Sequence, residues 1–321
     1  MDALAALLNG QRARGAFLLR SVMDPPWSMR IEDEAPLTVV VLARGTAWIT
    51  PAAGPPVELT PGVAALARGP APYTVADSPD TPPQISIGPG QICRSLDGTR
   101  LEEPMSQGLR TWGNSPDGHT VMLTGTYETP AETARDLLTT LPPLLTFPPT
   151  PTHTPLITAL STEITTDAPG QSTVLDRLLD LLTITLLRTW LTTPTSNPPA
   201  WYQAHSDPLV GQALRLLHHN PAHPWTLNSL ATHLNTSRST LTRRFTALVG
   251  EPPITHLTRH RLNLAADLLN NPSLTLESIA HRVGYTTPYS LSTAFKRHHG
   301  HPPKPPHHPT HPKPKPPHNQ K

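Results

Sequence analysis

Residues 225–245 read WTLNSLATHLNTSRSTLTRRF, and this stretch decides the fold of the C-terminal part of the chain. Apolar side chains recur at helical spacing on both sides of Asn235, a residue type that tolerates the left-handed backbone of a tight turn. Thr226 and Ser237 stand where a hydroxyl can cap the first turn of a helix. The pattern predicts a short helix, a tight turn and a second helix, which together form a helix-turn-helix unit.

The same layout recurs about fifty residues later in the chain. Gly284 supplies the turn, Thr287 is a cap followed by a proline at the first helical position, and Leu291 and Phe295 repeat the apolar spacing of the first unit. Residues 254–269 predict a rigid spacer helix between the two units. A single helical hairpin is common in protein cores, whereas two in sequence on one spacer are far more specific.

Charge is distributed unevenly along the 321 residues. Residues 1–200 hold 12 arginines, no lysine and 19 acidic residues, whereas residues 201–321 hold 13 Lys and Arg against 4 acidic residues. The net charges are therefore −7 and +9, and 15 of the 17 histidines also lie beyond residue 200. An acidic half followed by a basic half indicates that the basic half meets a polyanion.

The N-terminal half predicts a different architecture. Short apolar segments separated by Gly and Pro predict strands of an antiparallel sandwich or barrel, at residues 37–43, 46–50, 57–59, 63–67, 73–75, 84–87 and 120–127. After residue 130 the apolar period becomes helical, which predicts helices at residues 131–140, 155–165 and 172–191. The apolar stripe of Ser172–Leu191 is expected to be core, with packing against a second copy in a homodimer as the alternative.

These patterns together predict two domains of different fold class. Residues 1–191 form an antiparallel β-barrel or sandwich followed by helices, and residues 192–206 form a linker. Residues 207–302 form an all-α domain with two helix-turn-helix units. Residues 303–321 are almost wholly His, Pro and Lys, so they cannot bury apolar surface and are expected to be disordered.

Several classes of protein are excluded or disfavoured. A single cysteine, Cys93, excludes a disulfide within the chain, a cysteine-rich zinc site and a DNA-repair alkyl acceptor that needs a cysteine cluster. No Gly-x-Ser-x-Gly elbow or Gly-rich phosphate loop is present. No apolar run approaches the ~18–20 residues of a membrane span, and the start lacks the order of a signal peptide. We expect a soluble, cytoplasmic protein with no membrane partner.

Residues 207–302 resemble the DNA-binding domain of the AraC/XylS family of bacterial regulators. The resemblance depends on residues spread over both units and the spacer, which include Trp225, Leu230, Ala231, Leu241, Phe245, Gly250, Pro252, Pro253, Arg261, Ala265, Ile279, Ala280, Val283, Gly284, Tyr285, Ala294, Phe295 and Pro302. Residues 15–190 more loosely resemble the cupin-type N-terminal domain of one branch of that family, at residues 46–48, 59–62 and 141–145.

The resemblance implies that the second helix of each unit enters a major groove of double-stranded DNA, about one DNA turn apart on one face. The candidate base contacts are Ser239, Thr242 and Arg243 in the first unit and Pro288, Tyr289, Ser292 and Thr293 in the second. The candidate phosphate contacts are Arg238, Arg244, Lys296 and Arg297. Arginine can pair with guanine O6 and N7, which is worth about 1–3 kcal/mol of discrimination.

Related sequences often carry arginine where Thr293 stands, so this chain lacks a long donor there. We therefore expect the first unit to supply most base specificity, and the second to supply phosphate contacts and shape reading. A regulator of this family also implies RNA polymerase as a partner.

The resemblance to cupins raises the question of catalysis. Cupin enzymes hold a metal with several histidines and a glutamate, but residues 1–118 contain no histidine, and Tyr73 stands where related sequences often have one. We therefore expect no metal, no cofactor and no enzyme activity. A metal-independent or degenerate cupin enzyme fused to a DNA-binding domain is the alternative.

A small-molecule effector pocket inside the barrel is the expected use of the N-terminal domain. Its predicted lining is Trp48, Leu66, Tyr73 and Ile87, with an ordinary packed core as the alternative. An effector would act by favouring one arrangement of the dimer or of the DNA-binding domain over another.

Overall fold

The computed structural model describes residues 16–127, 132, 135–193, 200–271 and 273–303. The chain divides into two compact units at the Pro208–Leu209 bond. The first unit is built from β-strands followed by helices, and the second is wholly helical in its described residues. The expected disorder of the tail concerns residues that lie, apart from residue 303, outside the described ones.

In the described part of the first compact unit, the strands form two six-stranded sheets. In sheet order, the first sheet contains β10 (Thr111–Trp112), β1 (Phe17–Met23), β11 (Thr120–Tyr127), β3 (Leu37–Arg44), β6 (Ala64–Arg68) and β12 (Leu144–Phe147). The second contains β5 (Val57–Leu59), β4 (Ala47–Pro51), β7 (Tyr73–Ala76), β2 (Ser28–Ile31), β8 (Ile85–Gly88) and β9 (Ile92–Ser95). Neighbouring strands are antiparallel, apart from the parallel pairs β1–β10 and β2–β8.

The core of this unit lies between the two sheets. Val40, Leu42 and Met122 from the first sheet belong to the same buried apolar cluster as Met29 and Val75 from the second. Because side chains alternate along a strand, each sheet presents one set of residues to this core and another set to its outer face. The arrangement confirms the predicted antiparallel barrel or sandwich.

The sequence missed five strands, β1, β2, β9, β10 and β12. Three of them, β9, β10 and β12, lie at the edges of their sheets. An edge strand needs fewer apolar residues than a central one, and β10 has only two residues, so these segments lack a clear periodic pattern. The central strand β3, by contrast, is buried on both faces and matches the predicted apolar segment.

Four helices of the first unit lie in the described residues. They are α1 (Arg135–Thr140), α2 (Thr154–Glu163), α3 (Gln171–Thr192) and α4 (Ala200–Ala204). The predicted helices at residues 155–165 and 172–191 match α2 and α3. Helix α1 covers residues 135–140 of the helix predicted at residues 131–140, and residues 131, 133 and 134 of that prediction lie outside the described ones. Helix α4 lies inside the segment predicted as a linker, where Ala204 is buried.

Helix α3 packs on the outer face of the first sheet. Gly125 of β11 leaves room for Leu179, since a Cβ at this glycine would come within 2.5 Å of Leu179 Cδ1. The hydroxyl groups of Tyr127 and Thr183 are 2.9 Å apart and hydrogen-bonded. The predicted apolar stripe of α3 is therefore mainly core, although Val174 and Leu181 remain 44% and 48% exposed.

The second compact unit contains six helices in its described residues. They are α5 (Pro208–His219), α6 (Leu227–His233), α7 (Arg238–Val249), α8 (Pro253–Leu269), α9 (Leu276–Arg282) and α10 (Pro288–His299). Helices α6 and α7 are the first predicted helix-turn-helix pair, α9 and α10 are the second, and α8 is the spacer, which confirms the predicted fold class. Among the described residues, no helix combines the length and apolar character needed to cross a bilayer.

Candidate nucleic-acid interface

The first helix-turn-helix unit is held by local hydrogen bonds that the sequence predicts. Thr226 caps α6 in a capping box with Ser229, in which each side chain hydrogen-bonds the backbone N–H of the other residue. Asn235 ends the helix with a φ of 49°, and the Ser237 side chain accepts a hydrogen bond from Thr240 N at 3.1 Å. These contacts set the angle at which α7 leaves the turn.

The second unit repeats this chemistry with a longer turn. Thr275 caps α9, Gly284 takes the left-handed conformation with a φ of 81°, and Thr287 caps α10 in a capping box with Ser290. The cap of α10 follows its turn residue by three positions, whereas the cap of α7 follows Asn235 by two. When the caps Ser237 and Thr287 are aligned, α7 and α10 correspond residue by residue even though the turns differ in length. These second helices of the two units are called the recognition helices below.

Matching apolar positions fix which face of each recognition helix points outward. Leu241 and Phe245 of α7 are completely buried, and so is Leu291 of α10, with Phe295 at 2% exposure. The small Ala231 and Ala280 lie buried on the preceding helices and allow the close approach of the helix pairs. The remaining faces of α7 and α10 carry the predicted DNA contacts.

Arg261 joins the spacer helix to the loop that precedes the first helix-turn-helix unit. Its Nε donates to the carbonyl of Pro221 at 2.6 Å and its Nη2 donates to the carbonyl of His223 at 2.7 Å. A Cβ at Gly284 would lie 2.9 Å from the Cα of Ala222 and 2.9 Å from Arg261 Nη2. One arginine therefore links α8, the loop before α6 and the turn of the second helix-turn-helix unit. The sequence alone does not reveal this role.

The outward face of α7 brings most of its predicted contacts together. Ser239 and Arg243 are exposed and Thr242 is half-buried, and all three line one shallow depression with Arg238. The hydroxyls of Ser237 and Ser239 are 3.0 Å apart and hydrogen-bonded. The last predicted contact of this helix, Arg244, is also exposed.

The outward face of α10 differs in chemistry. Tyr289 is 82% exposed, and Thr293 is exposed with its hydroxyl donating to the carbonyl of Tyr289 at 3.0 Å. Pro288 and Ser292 are half-buried on the same side. The two predicted phosphate contacts of this helix, Lys296 and Arg297, lie exposed in its last turn.

A polar cluster behind α7 was not found from the sequence. His218 Nε2 and His256 Nε2 are 2.9 Å apart, and His256 Nδ1 lies 2.9 Å from Glu251 Oε1. Burial disfavours the ionised form of Glu251, but hydrogen bonds from His256 and Arg259 outweigh it and lower its pKa to about 2. Burial, together with the charges of His256 and Arg259, lowers the pKa of His260 to about 3.

The β-barrel of the N-terminal compact unit contains a partly open cavity of about 290 Å³. Tyr73 and Ile87 line it as predicted. Burial raises the pKa of the Tyr73 hydroxyl, and burial followed by the Glu102 charge raises the pKa of the Cys93 thiol, also in the lining, to about 12. Both groups are therefore neutral hydrogen-bonding groups in a mainly apolar cavity.

The prediction that Trp48 and Leu66 line this cavity is wrong. Their neighbours in the strand, such as Ile49 and Ala65, belong to the core between the sheets, and side chains alternate along a strand. Trp48 and Leu66 therefore face the other side of their sheets. Within the described ranges, no group of three or more His, Cys, Asp or Glu side chains is arranged to hold a metal ion.

Two capped helix-turn-helix units on one spacer, following a two-sheet domain with an internal cavity, define a tandem helix-turn-helix protein with an N-terminal cupin-like domain. Comparison with known proteins agrees with this class. A family model described as a cupin matches residues 2–192, and one described as a helix-turn-helix domain matches residues 230–305.

Relatives match over nearly the whole chain. A putative AraC-like transcription regulator from Streptomyces lividans is 30% identical over 308 residues, which cover 94% of this chain and 97% of that protein. Another, from Streptomyces antibioticus, is 30% identical over 303 residues, or 92% and 95% of the two chains. The crystal structure of the DNA-binding domain of AdpA, a global transcriptional factor, in complex with a target DNA is 32% identical and covers 30% of this chain and 87% of that one, with a TM-score of 0.28.

The chain belongs to the family of AraC-like transcription regulators. This membership confirms the resemblance that the residues of the two helix-turn-helix units and the β-strand segments indicated.

Proposed function

We propose that the chain regulates transcription by binding a specific DNA sequence with its two recognition helices, α7 and α10. The observation that carries this proposal is that both helices bury matching apolar residues and turn their remaining faces outward. Three arginines lie on the outer surface of α7, and Lys296 and Arg297 end α10. A convex face with these cations fits the negatively charged groove of a duplex.

The individual contacts follow from position and chemistry. Ser239, Thr242 and Arg243 are proposed to contact base edges, with Arg243 pairing with a guanine. Arg238 and Arg244 flank them and are proposed to contact phosphates, as are Lys296 and Arg297 at the end of α10. In the second helix-turn-helix unit, the proposed base contacts are Pro288, Tyr289, Ser292 and Thr293 of α10.

Selection of bound sequences from random duplexes by the full chain tests this proposal. The expected product is an asymmetric site that spans two adjacent major grooves, bound with an affinity that falls as salt rises. A variant with Arg243→Ala and Thr242→Ala should select a site degenerate in one groove only. A chain that shows no salt-sensitive affinity for any duplex would overturn the proposal.

The cavity of the cupin domain is proposed as the site of a small-molecule effector. Its volume of about 290 Å³ lies near the small end of the range for ligand pockets, about 300–1,000 Å³. Because Ile87 lines the cavity, Ile87→Trp is expected to fill it and to abolish any ligand-induced rise in the unfolding temperature. The outward-facing Trp48→Phe is a matched control that should leave the ligand response unchanged.

Helix α3 is proposed to form a homodimer interface through its outer face. Val174 and Leu181 are seven residues apart and therefore lie on the same side of the helix, and both are nearly half exposed. Val174→Glu with Leu181→Glu should convert a dimer to a monomer in analytical ultracentrifugation. An unchanged sedimentation coefficient would contradict this interface.

We further propose that the chain acts without catalysis, in the cytoplasm where its DNA lies, and with RNA polymerase as a partner. Membership in a family of transcription regulators supports all three points. Metal analysis of the purified chain provides the test of the first, since stoichiometric iron, zinc or manganese would favour a cupin enzyme instead.

A further inference from the structure

The two recognition helices present different chemistry at equivalent positions. Alignment of the caps Ser237 and Thr287 places the residues of α10 fifty positions after their counterparts in α7. At the outward positions of the first two turns, polar and cationic residues of α7 are replaced in α10 by a proline, an aromatic ring and short hydroxyl residues. The pairs are Arg238 with Pro288, Ser239 with Tyr289, Thr242 with Ser292, and Arg243 with Thr293.

The hydroxyl groups near the start of α10 already have partners within the helix. The Ser290 hydroxyl and the Thr287 side chain form the capping box, and the Thr293 hydroxyl donates to the carbonyl of Tyr289 at 3.0 Å. Pro288 has no backbone N–H to offer. Besides the hydroxyls of Ser292 and Tyr289, the groups left for an outward contact are apolar, namely two rings and the Thr293 methyl group.

Tyr289 is the most exposed of the large apolar side chains in the described residues, at 82%. It lies at the end of α10 opposite Lys296 and Arg297, whose charges can hold the helix against the phosphate backbone. The N-terminal turn that carries Tyr289 has no charged side chain. This arrangement leaves the aromatic ring free to meet the floor of the groove.

We propose that α10 reads thymine by packing Tyr289, with Pro288 and Thr293, against the C5 methyl group in the major groove. This methyl is the apolar group among the base edges exposed there, and apolar contact with it distinguishes thymine from cytosine. This proposal gives the base contacts predicted for α10 a definite target, the methyl group of thymine. This inference depends on the proposed function, because it concerns how the same recognition helix reads its half-site.

Replacement of thymine by deoxyuridine tests the proposal, because it removes the methyl group and keeps the base pair. The full chain is titrated by fluorescence anisotropy with its selected duplex, and with duplexes in which the thymines of either half-site are replaced. Replacement in the α10 half-site should weaken binding about fourfold for each contacted methyl, or about 0.8 kcal/mol. Replacement in the α7 half-site should leave Kd nearly unchanged.

Variants of Tyr289 separate the ring from its hydroxyl. Tyr289→Phe keeps the ring and should retain both the affinity and the deoxyuridine effect. Tyr289→Ala should weaken binding to the thymine duplex and remove most of the deoxyuridine effect. Because the side chain is exposed, Tyr289→Ala should unfold at the same temperature as the parent chain, which excludes a folding defect as the cause.

Four results would overturn the inference. If the chain binds its thymine duplex and the α10-half-site deoxyuridine duplex equally, the methyl is not read and the proposed function still stands. If Tyr289→Phe behaves like Tyr289→Ala, the hydroxyl rather than the ring makes the contact. If Tyr289→Ala leaves DNA binding unchanged, the exposed ring serves another partner. Failure to bind any duplex would remove this inference and the proposed function together.

Discussion

Arg243 is the arginine of α7 that we propose to pair with a base. Arg243→Ala should weaken binding to the selected site by about 5- to 150-fold, because a bidentate arginine–guanine contact is worth about 1–3 kcal/mol. Binding to random DNA should fall much less, since it loses only one charge among several. Competition binding with specific and random duplexes measures both effects.

Arg243→Lys is the matched control for this prediction. Lysine keeps the charge but lacks the planar pair of donors, so it should restore binding to random DNA more than binding to the selected site. An equal loss on the two duplexes for Arg243→Ala would assign Arg243 to the phosphate backbone.

His260, in the spacer helix α8, makes the stability of the C-terminal helical domain depend on pH. Its pKa in the folded chain, about 3, lies below the ordinary value of 6.5, so the unfolded chain takes up the proton more readily. The free energy of unfolding is therefore highest above pH 6.5, as far as His260 determines it, and decreases as the pH falls from 6.5 towards 3. Hydrogen exchange of α5 to α8 between about pH 7.5 and about pH 4.5 should show progressively weaker protection at the acid end.

The variant His260→Gln should flatten this dependence, because it removes the group that takes up the proton on unfolding. His281→Gln, on the exposed surface of α9, is the control that should leave the dependence as it is. A parent chain and His260→Gln variant with the same slope would contradict the assignment.

Residues with local roles could be predicted from the sequence, whereas residues with distant partners could not. Thr226, Ser237 and Thr287 cap helices through atoms a few residues away, so the order of residues was sufficient to find them. Arg261 binds carbonyl groups about forty residues earlier in the chain. The sequence cannot show which face of its sheet Trp48 occupies, because the orientation of a strand depends on pairing that composition does not encode. The prediction that Trp48 lines the cavity fails for this reason.

At the scale of elements, the contact between α3 and β11 depends on Gly125. Gly125→Ala should lower the free energy of unfolding by about 1–3 kcal/mol, because the added methyl overlaps Leu179. Leu179→Ala alone should cost about 2–5 kcal/mol through the cavity it leaves. The double variant should cost less than the two single variants together, since each change makes room for the other.

Urea unfolding of the three variants supplies this double-mutant cycle. Gly88→Ala, at the end of β8, is the matched control for the exchange of glycine and alanine, because a Cβ at Gly88 would have its nearest contact with the Ile92 carbonyl oxygen at 4.0 Å. This control should leave the free energy of unfolding nearly unchanged. Additive losses for Gly125→Ala and Leu179→Ala would show that α3 does not rest on Gly125.

Elements with strong periodicity were predicted well, and those without it were missed. Strand β11 and helix α8 carry long apolar patterns and were placed to within a residue. The edge strands β9, β10 and β12 are short and mixed in polarity, so their position is set by the neighbouring strand rather than by their own residues.

At the scale of the whole molecule, the net charge of +9 in residues 201–321 should make DNA binding strongly dependent on salt. Lys296→Gln with Arg297→Gln removes two proposed phosphate contacts. The plot of log K against log salt concentration should become less steep, with the magnitude of its slope smaller by about two. Affinity should fall alike for selected and random duplexes. Anisotropy titrations across a salt series measure both quantities.

A loss confined to the selected duplex would contradict the phosphate role and place these two residues at base edges. Glu277→Gln, in the exposed first turn of α9, is a control that removes a charge of opposite sign without removing a proposed contact.

The Arg261 linkage makes the spacing of the two recognition helices a property of the protein instead of the DNA. A duplex whose grooves are out of phase with that spacing must be overwound or underwound before both helices can enter it, and this torsional work reduces the binding free energy. For the proposed DNA binding, we therefore expect occupancy of the site to change with the superhelical density of the DNA at a constant amount of protein.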